Sequence, residues 1–242
     1  MKVRLHIEDS LFEGAKITPT HEATHYLQHV MRMKTGDRLR LFNAHSGEYE
    51  AQLTQILKKG VVLEVKGLLR EGQTRPFLGL AFAPLKPGPL SFLLEKATEL
   101  GVSDLYPVLT RYTSVRHFNE VRAAATVREA AEQCERLDVP RVHPLQDLGA
   151  FMGGLDEKSV VFACIERAKE ALLWGALPHQ GGANPLVLVG PEGGFETGEL
   201  TFLRAHAQVR PVSLGPLVLR AETAALAALA LFHAAPSNSA HT

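Results

Sequence analysis

Two stretches near the C-terminal end carry the residue types most suited to chemistry: Leu186 to Phe195, LVLVGPEGGF, and Val212 to Ala225, VSLGPLVLRAETAA. Each runs from a short apolar β-branched segment into a turn punctuated by glycine and proline, and then into a helix-like pattern. Strand, loop and helix in that order is where ligands sit in α/β proteins. Gly190, Gly193 and Gly194 permit close backbone approach or a positive φ, and Pro191 restricts the turn. A strand-to-helix turn needs glycine for geometry alone, so one such loop decides little. Two of them close together point to a small-molecule site.

Several familiar sites lack their signatures. No GxGxxG follows a strand and no GxxxxGK[ST] occurs, which removes the dinucleotide and P-loop motifs. Backbone N–H groups from Gly190 to Phe195 could cradle a phosphate, but no lysine follows to neutralise the charge. Ser213 is the hydroxyl nearest the loops, yet it has no GxSxG context and no histidine is marked as its base. His21, His25 and His29 recur at i, i+4 and i+8 on one helical face; with no HExxH and no obvious fourth ligand, they read as a polar face meeting solvent or RNA rather than as a metal site.

The elements that must position these residues fall into two patterns. Thr20 to Met33 reads as a helix capped by Thr20, with Tyr26, Leu27, Val30 and Met31 on its apolar face and Gly36 as its stop. Asp37 to Asn43, Gly47 to Leu57 and Val61 to Leu69 read as three strands. In the second, Tyr49, Ala51 and Leu53 alternate with Glu48, Glu50, Gln52 and Thr54, giving one wet face as in a small antiparallel barrel. Such modules bind nucleic acid or serve only as structure. The polar stretch Glu71 to Pro76 marks a boundary, which divides the chain into a β domain at 1–72, an α/β domain at 73–236 and a polar tail at 237–242 without expected structure.

Beyond the boundary, strands and helices alternate: Phe77 to Ala83, Ser91 to Leu100, Leu105 to Leu109, Asn119 to Arg136 and Val160 to Ile165 lead to the two loops. Ser91 is the expected cap of a helix that buries Leu93, Ala97 and Leu100 and ends at Gly101. In the next helix Val127, Ala131 and Cys134 fall at i, i+4 and i+7, which predicts Cys134 as a small core packer.

Composition sets limits on partners. Zero net charge argues against an all-over basic coat, but a partner reads local charge. Residues 1–70 hold eleven Lys and Arg against eight Asp and Glu, about +3, and the remainder fifteen against eighteen, about −3. That lean is compatible with an N-terminal part touching nucleic acid. Acidic residues in MKVRLHIEDSLFEG stand where a signal peptide needs its apolar core, and no run of eighteen apolar residues exists, so the expectation is a cytoplasmic protein with no membrane contact. Cys134 and Cys164, far apart and without a CxxC, read as reduced thiols.

Four ordered motifs carry a resemblance: KATELGV at Lys96 to Val102, EQCERLDVP at Glu132 to Pro140, GPEGGF at Gly190 to Phe195 and SLGPLVLRAETA at Ser213 to Ala224. Together they resemble the RsmE-type 16S ribosomal RNA uridine-N3 methyltransferases of the SPOUT superfamily. HYLQHVMRMKTGDRLRLFN at His25 to Asn43 is similar to that family's PUA-like RNA-binding domain, so the resemblance spans nearly the whole chain. Pro216 departs from it, standing where the family more often carries a charged or polar residue.

The resemblance implies an α/β fold with a trefoil-knotted SPOUT methyltransferase domain preceded by a small PUA-like β-barrel. It also implies S-adenosyl-L-methionine as cofactor, a homodimer, no metal, and 16S rRNA within the 30S subunit as substrate. Cofactor contacts are then expected from Val189, Gly190, Pro191, Glu192, Gly193 and Gly194, and from Ser213, Leu214, Gly215, Leu217 and Leu219. Glu222 and Thr223 are expected at the cofactor, where they could orient Arg220, or as caps of the following helix, and Glu192 either at the ligand or as a turn or helix-start residue. Arg220 is the expected catalytic group, its guanidinium stabilising charge on the uracil oxygens as N3 loses its proton. Arg32, Lys34, Lys86, Arg111 and Arg136 are candidate phosphate contacts. The alternatives are a non-catalytic RNA-binding protein with a ligand-sensing α/β domain, or a SPOUT methyltransferase acting on another base.

Overall fold

Alternation at the second long strand works as expected at its centre: Ala51 and Leu53 are fully buried, as are Val61, Leu63 and Val65 on the strand paired to it. The computed structural model describes residues 3–58, 60–166, 171–176 and 184–234; the tail expected at 237–242 lies outside the described residues. Contacts divide the chain into two units, Met1–Arg75 with Ala131–Val139, and Pro76–Ala130 with Pro140–Thr242.

The first unit holds β1 (Arg4–His6), β2 (Lys16–Ile17), α1 (His21–His25), β3 (Arg38–Asn43), β4 (Gly47–Leu57) and β5 (Gly60–Arg70). Their sheet runs β1-β3-β4-β5-β2, antiparallel except where β1 lies parallel to β3. Thr20 caps α1 as expected, its hydroxyl accepting from the Ala23 amide. The helix then departs from the expected one. Tyr26–Val30 forms a π-helical turn, with the Met31 amide donating to the Tyr26 carbonyl, and Arg32 takes a left-handed φ of 52°. The wider turn rotates the apolar face: Leu27 is buried, whereas Val30 is 60% exposed and Met31 also lies open.

Glu48 is a second departure. Expected on the wet face, it is fully buried, because the register of β4 against β5 shifts at Glu48/Tyr49 and turns its carboxylate inward. There the Arg4 and Arg70 Nε atoms donate to its two oxygens at 2.6 and 2.7 Å. Arg4 also donates to the carbonyls of Ala131, Glu132 and Arg136, which anchors Ala131–Val139 to the sheet within this unit. Arg136, a candidate phosphate contact, is 2% exposed and its guanidinium is bound to Asp138, so burial removes it from that role. Cys134 is corrected in the opposite sense: it lies just past the helix end at Gln133, off the apolar stripe, and is exposed.

The second unit holds β6 (Gly79–Phe82), α2 (Pro87–Glu99), β7 (Asp104–Leu109), α3 (Glu120–Gln133, whose last turn belongs to the first unit), β8 (Arg141–Val142), β9 (Gln146–Asp147) and α4 (Leu148–Gly153). They are followed by β10 (Ser159–Cys164), α5 (Leu173–Ala176), β11 (Asn184–Val189), α6 (Thr197–Ala205), β12 (Val209–Val212) and α7 (Ala221–Ala234). The sheet is parallel in the order β12-β10-β11-β6-β7-β8, with β9 beside β7. Leu186 to Val189 are buried without alternation, as a central parallel strand covered on both faces requires. Its cover includes α7, which packs on β11 and α2 through Ala224, Ala225, Ala228 and Leu229. Helix α2 starts before the expected Ser91 cap: Pro87 occupies its first turn, where a missing N–H costs nothing, and Lys86 is the cap residue. Leu93 and Ala97 are buried as expected, and Gly101, at φ 88°, ends the helix. Among the described residues, no helix is long and apolar enough to cross a membrane.

Burial alone would raise the Glu48 carboxyl, but the hydrogen bond and charge of Arg4, joined by Arg70, outweigh it and hold the pKa below the ordinary glutamate value. A lowered folded-state pKa stabilises the fold above the unfolded value, about 4.5, and that contribution is lost as pH falls through the lowered value. We expect Glu48→Gln to cost about 3 kcal/mol in urea denaturation at neutral pH, since the guanidiniums of Arg4 and Arg70, and that of Arg40 at 3.7 Å, lose their counter-charge, and to flatten the acid limb of the stability profile.

Candidate active site

Strand register builds the site. Cys164, the last residue of β10, is paired with Val189 of β11 on one side and with Val212 of β12 on the other. Both glycine-rich loops therefore leave the sheet at the same level, one strand apart, a gap of about 10 Å across two strand spacings. Between them lies a cavity of about 220 Å³. Its floor is Cys164, Ile165 and Glu166 at the end of β10, and its walls are the two loops.

The structure brings most of the expected binding residues together here. Val189, Gly190, Pro191, Glu192, Gly193 and Gly194 line one wall; Ser213, Leu214, Gly215, Leu217 and Leu219 line the other. Glu222 and Thr223 do not line it, and neither does the exposed Arg220, although its neighbours Leu219 and Ala221 do. Arg220 contributes its carbonyl to the Ala224 amide at the start of α7. Sequence reading missed Cys164, Ile165, Glu166, Leu200 and Ala224, which reach the cavity only through the packing of strands and helices, while Phe195 joins them from the end of the GPEGGF motif.

Local chemistry explains the loop shapes. A Cβ at Gly190 would stand 3.0 Å from the Phe195 ring, so only glycine lets that ring fold back under the loop. Gly194 sits at φ 72°, and a Cβ there would meet Glu166 Oε1 at 3.3 Å. Glu196 caps α6 by accepting from the Gly198 amide, and Glu199 reaches back to the Glu196 amide, a complete capping box. In the second loop the Ser213 hydroxyl accepts from the Gly215 amide at 3.2 Å, and Ser213 is buried, so it holds a turn rather than standing free as a nucleophile. Opposite Leu172, the Leu173 amide donates to the Ser213 carbonyl and the Ser213 amide donates to the Ala171 carbonyl, which fixes that loop.

Electrostatically the cavity combines an apolar base with two carboxylates, Glu166 and Glu192, and backbone groups at the glycines. That donor set suits a cation bearing an apolar or aromatic body. It does not suit a phosphate, which would face carboxylates. Desolvation pushes the Cys164 thiol up to about 12, so it stays a neutral group in the floor. Among the described residues no three His, Cys, Asp or Glu side chains are grouped to hold a metal; the His25 and His29 rings lie 4.7 Å apart, without a third ligand.

The candidate phosphate contacts Arg32, Lys34, Lys86 and Arg111 are all exposed, the first two in the first unit and the others in the second.

The family model described as RNA methyltransferase domain matches residues 73–233, and that described as RNA methyltransferase PUA domain matches 19–66. A ribosomal RNA small subunit methyltransferase E from Rickettsia conorii is 33% identical over 228 residues, which is 94% of this chain and 93% of the relative. The chain belongs to the ribosomal RNA small subunit methyltransferase E family. Another methyltransferase E, from Bacillus subtilis, is 29% identical over 90% of this chain and 89% of its own. A crystal structure of methyltransferase E from Neisseria gonorrhoeae bound to S-adenosyl methionine superposes with a TM-score of 0.82 at 27% identity, covering 95% of this chain and 96% of that one. A methyltransferase from Legionella pneumophila in complex with bound cofactor SAM gives 0.87 at 28%, covering 97% and 98%. The mixed fold, a mainly antiparallel N-terminal sheet with a parallel SPOUT-type sheet, is thus that of the methyltransferase E family.

The two thiols should separate in alkylation. At pH 8, iodoacetamide is expected to modify exposed Cys134 first and to leave Cys164 largely unmodified, as peptide mass analysis would show; equal rates would contradict the burial that raises the Cys164 pKa.

Proposed function

We propose that the chain methylates N3 of a specific uridine in 16S rRNA with S-adenosylmethionine. The observation that carries this reading is the convergence of the two glycine-rich loops on one cavity that holds two carboxylates and no basic side chain among its lining residues. Relatives whose structures hold S-adenosylmethionine share this fold over nearly their whole length. The donor set fits that cofactor: Glu166 and Glu192 suit its positive charges, and the backbone at Gly190–Gly194 and Ser213–Gly215 suits the adenine edge and ribose.

Bound there, the cofactor supplies a sulfonium-activated methyl group. Uridine N3 would first lose its proton to solvent, spreading negative charge over the flanking carbonyl oxygens, and the N3–methyl bond would then form as the S–methyl bond breaks and S-adenosylhomocysteine leaves. The chain's contribution is to hold the two reactants in line and to stabilise that charge. Arg220 serves the second purpose. Its exposed guanidinium, flanked by the cavity residues Leu219 and Ala221, is free to reach a base at the cavity mouth. Glu222 and Thr223 then act in the first turn of α7, setting the backbone that carries Arg220. Because N3 lies on the Watson–Crick edge, the target uridine must be unpaired or flipped.

Residues 1–72, read as the PUA-like module, and Arg32, Lys34, Lys86 and Arg111 supply RNA backbone contacts in the 30S subunit. A trefoil knot accords with the path of the chain, which leaves edge strand β12, passes the Leu172–Ser213 bridge and returns to mid-sheet with α7. Leu217 and Val218, 76% and 51% exposed at the second loop, are apolar surface that a second copy would cover in a homodimer.

Tritium transfer from labelled S-adenosylmethionine to small subunits lacking the modification, followed by mass mapping of the labelled nucleotide, tests the assignment. Label in 3-methyluridine is expected; label in another base would redirect the specificity. Arg220→Ala should lower kcat by about 100- to 1,000-fold while cofactor affinity measured by calorimetry stays within about twofold.

A further inference from the structure

A second, more open cavity, of about 830 Å³, borders the first. The segment 193–202 divides them: Gly194, Phe195 and Leu200 line the first, and Glu196, Glu199 and Phe202 line the second. The opposite wall of the second cavity is the turn after β7. Thr110 and Thr113 anchor that turn, each 5% exposed, through a Thr110 amide to Thr113 Oγ1 bond of 2.9 Å and a contact of 3.0 Å between their hydroxyls. The two residues between these anchors, Arg111 and Tyr112, are held outward; Tyr112 is 50% exposed. A buried clamp presenting an aromatic and a guanidinium to solvent is an arrangement that folding alone does not require.

Tyr112 is tied to the first loop as well. A Cβ at Gly193 would stand 3.2 Å from the Tyr112 Cβ, so the glycine lets the tyrosine lie against the cofactor loop. The Arg111 amide donates to Glu199 Oε1 at 2.8 Å, which links the same turn to the capping box of α6. Phe202, 42% exposed, adds a second aromatic to the cavity wall. The charges are unequal in their freedom. Glu196 and Glu199 keep their charge but are drawn to backbone amides on the α6 side, and Asp147 has no side-chain partner among the described residues, so the cations of this lining are those of the turn after β7. Arg111 and Arg116 are exposed, and neither guanidinium has an ion-pair partner among the described residues.

We propose that this second cavity seats unpaired RNA nucleotides next to the target: a base stacks on the Tyr112 ring, and the backbone phosphates meet Arg111 and Arg116. The assignment rests on the RNA-methylation reading above and gives it a positioning residue. Exposed aromatic faces with free guanidiniums match single-stranded nucleic acid, whose bases stack without sequence preference and whose backbone supplies the anions. The position of Tyr112 against Gly193 makes stacking there also a means of registering the target base over the cofactor loop.

Fluorescence anisotropy with a fluorescein-labelled oligouridylate tests the proposal directly on the full chain. Tyr112→Ala should weaken binding about tenfold, whereas Tyr112→Trp should hold it within about twofold, because stacking needs a ring and not the hydroxyl. The double variant R111A/R116A should lower the slope of log K against log salt by about 1.4, two phosphate contacts at ~0.7 each for single-stranded RNA. In methyl transfer to small subunits, Tyr112→Ala should raise the RNA KM and leave the affinity for S-adenosylmethionine unchanged. Equal binding by Tyr112→Ala and wild type would overturn the proposal, and so would Tyr112→Leu binding as well as Tyr112→Trp. A change of oligomeric state in Tyr112→Ala by sedimentation would overturn it too, by making this face a contact between copies. Tyr112-dependent RNA binding without methyl transfer would refute the proposed function and leave this site standing; methyl transfer indifferent to Tyr112 would do the reverse.

Discussion

The site depends on a single pairing, that of Cys164 with Val189 and Val212 at once. Because β10 lies between β11 and β12 in parallel register, two loops separated in sequence by a helix and a strand emerge side by side, with the end of β10 as the floor between them. A one-residue slip in either pair would carry Leu188 or Val212, both buried, to the other face of the sheet and raise one loop above the other. The glycines then fit the loops to a surface the sheet has already set.

The two units use charge differently. In the first, Arg4 and Glu48 are buried and the exposed Arg70 reaches in to the Glu48 carboxylate, and Arg4 also satisfies carbonyls within Ala131–Val139, so the charge of this cluster acts as structure. In the second, Glu196 and Glu199 are occupied by amides at the start of α6, while Arg111, Arg116 and Arg220 remain on the surface. A chain with zero net charge can in this way present free guanidiniums around a cavity whose own lining is acidic. On the proposed reading, a cationic methyl donor and a polyanionic RNA would each meet the sign they need.

Much of this was legible in the sequence. The strands of the parallel sheet are apolar runs bounded by turn residues, and eleven residues named for the two loops do line one cavity. What the sequence hid was non-local. Periodicity assumes 3.6 residues per turn, so the π-turn at Tyr26–Val30 misplaced Val30 and Met31. Alternation carries no sign of a register shift, so Glu48 falls on the wrong face, and nothing near Arg136 in sequence shows that its segment packs on the sheet through Arg4 and buries it. Glu166 follows a strand with no motif around it, and only the pairing of β10 brings it to the cavity. Tyr112 was invisible for the same reason: its meaning comes from Gly193, eighty-one residues later.

On the proposed reading, both loops grip one cofactor above the end of β10. A crystal structure of the chain with S-adenosylhomocysteine measures this most directly. The nucleoside is expected between the two loops, hydrogen-bonded to backbone groups within Gly190–Gly194 and Ser213–Leu219, with its amino-acid end toward Glu166 or Glu192. Ligand bound elsewhere, or held by one loop alone, would contradict it.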